Sequence, residues 1–589
     1  MKKLFNCFIA LAIAVCGVLG CFAGCSRGEE EAFDNTKSHL YVGFYNAGYG
    51  DKYVKDLKTR FESLCATEPF EDGKVGVQIH IVEINEGNNF VNQIENSEVD
   101  VFFTSNADYY RYVNNDLLLN IDDVVKGSLT EFGERGTIEG KMDEATADFF
   151  ETDNGYFALP YVTSNWGMIL NVDLWEDKEL YFAKGGAPSE YLRTNPACDD
   201  ALPGDWNDAM LDFTGIGEKS AGPDGKYGTA DDGQPATYEE FFLFCDRCYD
   251  QGVNAFHWSG ANPTYFSKMM IPMVADYEGY EQMSLNYTFN GTATDLIDVD
   301  ANGTVTKRPD TPIKNSNGYL LAKQAGKYYV LDFWDRLLGC TDYYNTTTTL
   351  NNASHKHTDA QDDFVTGGKM FGKREIAILI DGDWWWNEAQ PAFDVIKKST
   401  DGEWSADNMR FEMLSYPKAT NEKVGEPWTM LISTHAISGI NKKVAQSKVD
   451  LAKKFLKFAF TNESNLQFTK MTSCLRPLDY EFTSGYLNGL NYWTKTLIEK
   501  YDSVQRCPEG STNTMYIYNS FNFFNSEIFW DSTIDGKETG GIPTFVLAKK
   551  GYLIKGVDIN AQQYFTGMST YKSKSYWDGL YSEYYQYNA

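Results

Sequence analysis

The chain has 589 residues, 42% hydrophobic and 15% aromatic, enough apolar matter for a large core and too much for a disordered or collagen-like chain. At roughly 150 residues per domain, this length allows two to four domains. Acids outnumber bases 83 to 52, and the resulting net charge of −31 repels phosphate backbones, so nucleic acid is excluded as an expected partner.

Lys2 and Lys3 precede an apolar run from Leu4 to Gly24, and charged residues follow. This is the pattern of a signal peptide over residues 1–24. On length alone the run also suits a membrane anchor helix of about 20 residues. Its end argues for lipidation: Phe22-Ala23-Gly24-Cys25 and Val18-Leu19-Gly20-Cys21 both resemble the bacterial lipobox. Small residues before Cys25 and Ser26 after it favour Cys25 as the lipidated position, with Cys21 the alternative. Removing residues 1–24 takes two lysines and no acid with it, leaving −33. Residues 25–37 read as a polar tether.

Leu40–Phe44 reads as a strand, Asn46–Gly50 as a glycine-containing loop and Lys52–Cys65 as a helix. Val77–Ile84 and Val99–Thr104 read as further strands, with a helix over Phe90–Glu95 between them. This alternation predicts an α/β lobe with a largely parallel sheet, whose ligands bind beyond the carboxyl ends of strands. Gly155–Trp175 reads as a strand crossing into a second lobe. Residues 186–236 read as a loop insertion. Thr237 is expected to cap the next helix, with Glu240 completing a capping box. Cys245 and Cys248 fall inside that helix and read as buried structural thiols rather than a redox or zinc half-motif. Residues 277–327 carry hairpin signals, including Asn302-Gly303 between Val299 and Val305. Tyr328–Cys340 reads as helix, Lys373–Ile380 as an apolar strand, Ile432–Ile440 as another strand and Val444–Phe460 as an amphipathic helix. The tail, 480–589, is aromatic with helix-like segments.

Five stretches in order resemble the extracellular solute-binding proteins of family 1, the carbohydrate-type binding lipoproteins of ABC transporters. They are Asp100–Asp108 with Tyr112 and Leu117–Asp122; Tyr156–Tyr161 through Leu170-Asn171; Thr237–Phe242; Gly367–Met370 with Ile380–Trp384; and Ile437–Asn441 with Ala452–Leu456. Together they span about 40 to 480. The resemblance implies an α/β, two-lobed periplasmic-binding-protein-like fold of the class II type, with a hinge and an interlobe ligand cleft. Lobe one is then expected over 38–162 plus 436–477. Lobe two is expected over 163–435 plus 478–589, with insertions at 186–236 and 277–327 that border the cleft.

Sugars offer apolar faces and hydroxyl edges, so a sugar cleft needs aromatic plates beside Asp, Asn or Glu partners. Trp384 stands where members of the family stack a sugar ring. Asp381 and Asp383 flank it, as hydroxyl acceptors or as caps of the next helix. Asn46, Tyr49 and Asp51 are candidates in the first loop, and Ser105, Asn106 and Asp108 at the end of the third strand. Tyr161, Asn165 and Trp166 lie at the hinge, and Trp258 is a further lobe-two candidate. Trp385 and Trp386 are expected to point away, at least one of them into the core.

Asp224, Asp231 and Asp232 share a glycine-rich ten-residue stretch that resembles a calcium loop, although it lacks the EF-hand order of ligands. A structural Ca2+ and a plain solvated loop both fit it. Asp298–Gly303 matches half an EF-hand, but Pro309 stands where the bidentate Glu belongs, so a hairpin is expected there. No HExxH, GxSxG or P-loop motif is present. The expected function is therefore non-enzymatic and needs no cofactor. A tethered protein on the outer face of the cytoplasmic membrane, in a Gram-positive cell, would capture an oligosaccharide or other small solute and pass it to ABC permease subunits. A secreted glycoside hydrolase and a surface glycan-adhesion or sensor protein are the alternatives.

Overall fold

The computed structural model describes residues 32–84, 94, 98–105, 109–185, 213–262, 264–349, 354–370, 372–525, 533–534, 537–538, 560–567 and 573–588. Cys21, Cys25, the expected signal segment and most of the tether lie outside these residues, as do most of the helix expected over 90–95 and residues 186–212. Among the described residues, no helix is long and apolar enough to cross a membrane.

The chain builds β1 (Ser38–Phe44), β2 (Val77–Glu83), β3 (Val101–Thr104) and β4 (Ala158–Pro160) first. It then crosses to β5 (Trp166–Asn171), β6 (Asn254–His257), β7 (Ile376–Gly382) and β8 (Phe411–Met413), and returns for β9 (Ile437–Ile440). Two sheets result, in the orders β2-β1-β3-β9-β4 and β6-β7-β5-β8. In the first, β1 runs parallel to β2 and β3, while β9 runs antiparallel to β3 and β4. In the second, β6 and β7 are parallel and β5 is antiparallel to β7 and β8. Each sheet anchors its own apolar core. The central strands β3 and β7 are buried along their whole length. Continuous apolar runs such as Val101-Phe102-Phe103 suit a strand covered on both faces.

Sequence explains the main helices locally. In α1 (Lys52–Leu64), Tyr53, Val54, Leu57 and Phe61 form one buried stripe. α2 (Tyr238–Asp250) starts at Thr237, whose hydroxyl accepts from Glu240 N at 3.2 Å. The Glu240 carboxylate reaches back to Ala236 N at 2.7 Å rather than to the N-cap itself, a displaced capping box. Cys245 and Cys248 are buried inside this helix, outside any disulfide. α3 (Thr264–Thr288) contains Pro272 and bends at Gly279, whose φ of 71° lies in the left-handed region. α4 is His357–Thr366 and α5 is Val449–Ala459. On α5, Leu451, Ala452, Phe455, Leu456 and Ala459 face the core, while Lys453 and Lys457 face outward to Asp123 and Glu131.

Three expectations are corrected. The strand read over Ile432–Ile440 is two strands, Thr429–Ile432 and β9, interrupted where the chain changes sheets. Residues 277–288 continue α3, so the insertion begins later than read. Its two antiparallel pairs, Gly291–Ala293 with Thr311–Ile313 and Ile297–Val299 with Val305–Lys307, pack against the C-terminal helices rather than the Trp384 region. Trp577 stacks edge-on against Phe289 at 5.1 Å and donates to Asn315 O at 2.7 Å, and Lys323 donates to Phe565 O at 2.8 Å. The Asn302-Gly303 turn joins Val299 and Val305, as the hairpin reading expected.

Candidate functional site

The chain passes between the sheets at 160–166 and 432–437, and residues 473–476 run beside both passages. Tyr161 N donates to Ala436 O at 2.8 Å, Thr163 N to Leu475 O at 3.0 Å and Ser433 N to Thr163 O at 3.3 Å. Ser164 takes φ 51°, a left-handed conformation uncommon for a residue with a side chain. Such strain sits where a hinge would bend.

β7 delivers Asp383 into this crossing. Asp383 N donates to Asn165 O at 2.9 Å. Its Oδ2 accepts from Thr163 Oγ1 at 2.6 Å and from Asn165 N at 3.2 Å, and Oδ1 has no hydrogen-bond partner. Burial pushes its carboxyl up to about 6, while the two hydrogen bonds pull the other way. Asn165 Nδ2 donates to Tyr501 Oη at 3.0 Å. Tyr49 Oη meets Ser164 Oγ at 2.6 Å, and its ring lies edge-on to Tyr161 at 6.1 Å. The Arg476 guanidinium covers Tyr161 at 5.5 Å. Asp383, Asn165, Tyr49 and Tyr161 are all buried, and their polar groups hold the crossing together.

Beside the crossing lies an aromatic cluster. A Cβ on Gly382 would come within 2.1 Å of the Trp384 ring, and one on Gly48 would come within 2.7 Å, so both glycines let backbone approach the indole. Gly48 belongs to the first-lobe loop and Gly382 to the second lobe, so Trp384 is sandwiched between lobes and is 9% exposed. It packs with the first lobe's core although it follows a second-lobe strand. Trp166 stands edge-on to Trp384 at 4.8 Å and to Tyr265 at 4.8 Å. Tyr265 stacks on His357 at 5.7 Å and 17°, and Lys268 Nζ sits 5.4 Å from the Trp166 ring. Trp166, Tyr265 and His357 are half-buried, so the open part of the cluster is Trp166 and its neighbours rather than Trp384.

Polar groups frame the rings. Asn387 Nδ2 donates to Gly48 O at 2.8 Å, a direct hydrogen bond between lobes. Gln361 Nε2 donates to Asp381 Oδ2 and Glu388 Oε2, both at 2.9 Å. Burial raises both carboxyls above the ordinary range, and Glu388 raises Asp381 further. His357 Nε2 stands 3.8 Å from Glu388 Oε1.

The remaining candidates are dispersed. Asn46 is exposed, and its Oδ1 accepts from Gly50 N at 2.8 Å, closing the loop. Asp51 precedes α1 and pairs with Lys55. Ser105 is half-buried at the end of β3; Asn106 and Asp108 lie outside the described residues. Trp258 is corrected: it is 0% exposed, stacked 5.4 Å from Phe256 and 5.1 Å from Tyr344, a core side chain that cannot serve as a plate. Trp385 and Trp386 are both buried.

The carboxylates of the 224–232 loop fold the loop onto itself. Asp231 accepts from Asp224 N at 3.0 Å and Thr229 Oγ1 at 2.8 Å, and Asp232 accepts from Gly228 N at 2.8 Å. Among the described residues, the group whose ligand atoms converge is instead His257, His355 and Asp363, all within 4.8 Å of one another. Sequence reading missed this trio, and also Tyr265, Gln361, Asn387 and Glu388. Asn387-Glu388 directly follow the tryptophan run and were findable there. Tyr265 and Gln361 carry no local signal.

No protein-family model matches the sequence, and no curated protein is similar to it. Solved structures are similar. A chitin oligosaccharide binding protein superposes with a TM-score of 0.50 at 12% identity, covering 92% of this chain and 99% of its own. A raffinose-complexed solute-binding protein, RafE, gives 0.49 at 10% identity, covering 92% and 100%. Maltose-bound MalE3 of T. maritima gives 0.49 at 12% identity, covering 92% and 99%. The chain thus has the two-lobed α/β fold that it shares with the chitin oligosaccharide binding protein.

Proposed function

We propose that this protein is a non-enzymatic solute receptor that captures a carbohydrate, an oligosaccharide in preference to a single sugar, between its two lobes. The observation that carries the reading is the half-open aromatic cluster of Trp166, Tyr265 and Trp384 placed where two lobes meet across a strained crossing. Indole and phenol faces match the apolar face of a pyranose, and the half-buried Asn387 and Glu388 supply hydroxyl partners beside it. Chitin oligosaccharide is what the structural neighbour binds by name, and a related glycan is the first ligand to test here. The lipobox-like Cys25 would tether the receptor to the outer face of the membrane, where it would serve an ABC permease.

A thermal-shift screen against mono- and oligosaccharides tests the reading, because a ligand that binds only the folded state raises its midpoint. A concentration-dependent rise with at least one glycan, without release of reducing ends, supports it. Turnover of the glycan would instead make the Asp381–Glu388 pair an acid/base site and the protein a hydrolase.

A further inference from the structure

Two of the six histidines, His257 and His355, lie close together in the second lobe. His257 ends β6, His355 lies two residues before α4, and Asp363 sits two turns into α4. His257 Nε2 and His355 Nε2 are 3.3 Å apart. Asp363 Oδ2 lies 3.5 Å from His355 Nε2 and 3.9 Å from His257 Nε2. Bonds of about 2.0–2.1 Å from a tetrahedral ion place its ligand atoms about 3.3 Å apart. Two of the three edges already lie within about 0.2 Å of that spacing, and the His257–Asp363 edge needs to close by about 0.6 Å to enclose one ion.

The surroundings hold these three groups in place. Ser259 Oγ and Ala261 N donate to His355 O at 2.8 and 2.9 Å, which ties the two histidine-bearing segments together. Lys373 Nζ lies 3.1 Å from Asp363 Oδ1, fixing the carboxylate through the oxygen that faces away from the histidines. His257 is 1% exposed, and its Nε2 is the ring nitrogen that faces His355. A plain hydrogen-bonded histidine pair needs no anion, yet a carboxylate oxygen converges on the same two nitrogens. Asp363 keeps 27% of its side chain exposed, which leaves a route for an ion and a place for a fourth, water ligand.

We propose that His257, His355 and Asp363 form a binding site for one zinc-class divalent cation. Two imidazoles and one carboxylate suit zinc and its borderline neighbours better than calcium, which prefers an all-oxygen shell. The ion would pin the loop after β6 to the start of α4. From that same helix, His357 stacks on Tyr265, and Gln361 holds Asp381 and Glu388, so the ion fixes the second-lobe wall of the aromatic cluster. The site does not depend on what solute the cluster binds.

The test uses the purified chain, stripped with a chelator, dialysed and loaded with Zn2+ or Co2+. One equivalent should remain after gel filtration, with the visible absorption of tetrahedral cobalt and a higher melting midpoint. His355→Ala should weaken the metal at least about 100-fold and Asp363→Asn about tenfold. His80→Ala, in the first lobe's separate His39–His80 pair, should leave binding unchanged. Since a buried-site variant can fail to fold, X-ray absorption on the zinc-loaded wild type gives an independent reading, expected to show two imidazole nitrogens plus oxygen. The proposal is overturned by substoichiometric uptake, by an all-oxygen or sulfur shell, or by full binding in the folded His355→Ala and Asp363→Asn variants.

Discussion

The hinge crossing and the aromatic cluster adjoin each other and behave oppositely. At the crossing, Asn165, Tyr49 and Asp383 are buried and each is committed to a protein partner. In the cluster, Trp166, Tyr265 and His357 keep part of their surface open and touch one another mainly ring to ring. Residues of the types that bind sugars thus fall into two groups, those that hold the lobes together and those left to meet a ligand. Exposure and existing hydrogen bonds separate the groups; residue type does not.

Substitutions that strike one group and not the other break this comparison. The largest effect is expected where an aromatic is wholly structural. Trp258→Ala should cost about 3–5 kcal/mol of stability, read by denaturant unfolding, and leave ligand affinity of the folded fraction unchanged. A marked affinity loss with little destabilisation would return Trp258 to the site.

Asp383 should give the next largest effect, as a pH dependence. The folded protein keeps its proton up to about pH 6, whereas the ordinary value is 3.8. The stability from this group is therefore present at the acid end and is lost as pH rises between those values, about 3 kcal/mol in all. Asp383→Asn, which keeps an acceptor for Thr163, should flatten that part of the stability profile. An unchanged slope would show that another group carries it.

The smallest effect should come from Asn387→Ala, which removes one hydrogen bond between lobes. A loss of about 0.5–1.5 kcal/mol from the closed arrangement should weaken ligand a few fold and expand the ligand-free protein in solution scattering. An unchanged scattering profile together with unchanged affinity would show that the contact does not bias closure.

Much of the fold was legible because its strands are short, apolar and bounded by turn residues, as in Val77–Glu83 and Val101–Thr104. The Thr237 cap and the Asn302-Gly303 hairpin were legible for the same reason: their signals are local. Thr264–Thr288 was not, because Pro272 and Gly279 interrupt its pattern and packing overrides them. The site was legible as a neighbourhood, with Trp384 and Trp166 both flagged. The roles within it were not. Whether an indole is covered depends on Gly48, more than 300 residues from Trp384 in sequence, and whether Asp383 is free depends on Thr163 and Asn165. The His257–His355–Asp363 convergence was illegible for that reason too: its ligands are brought together by a strand end, a loop and a helix and have no fixed spacing.

The central claim is that the open aromatic face between the lobes binds a carbohydrate. Isothermal titration of wild type and Trp166→Ala with the glycan that most stabilises the wild type tests it most directly. Saturable one-site binding to wild type is expected, with a loss of at least about tenfold, or about 1.4 kcal/mol, in a Trp166→Ala variant that melts near the wild type. Equal affinity in the two proteins would contradict it.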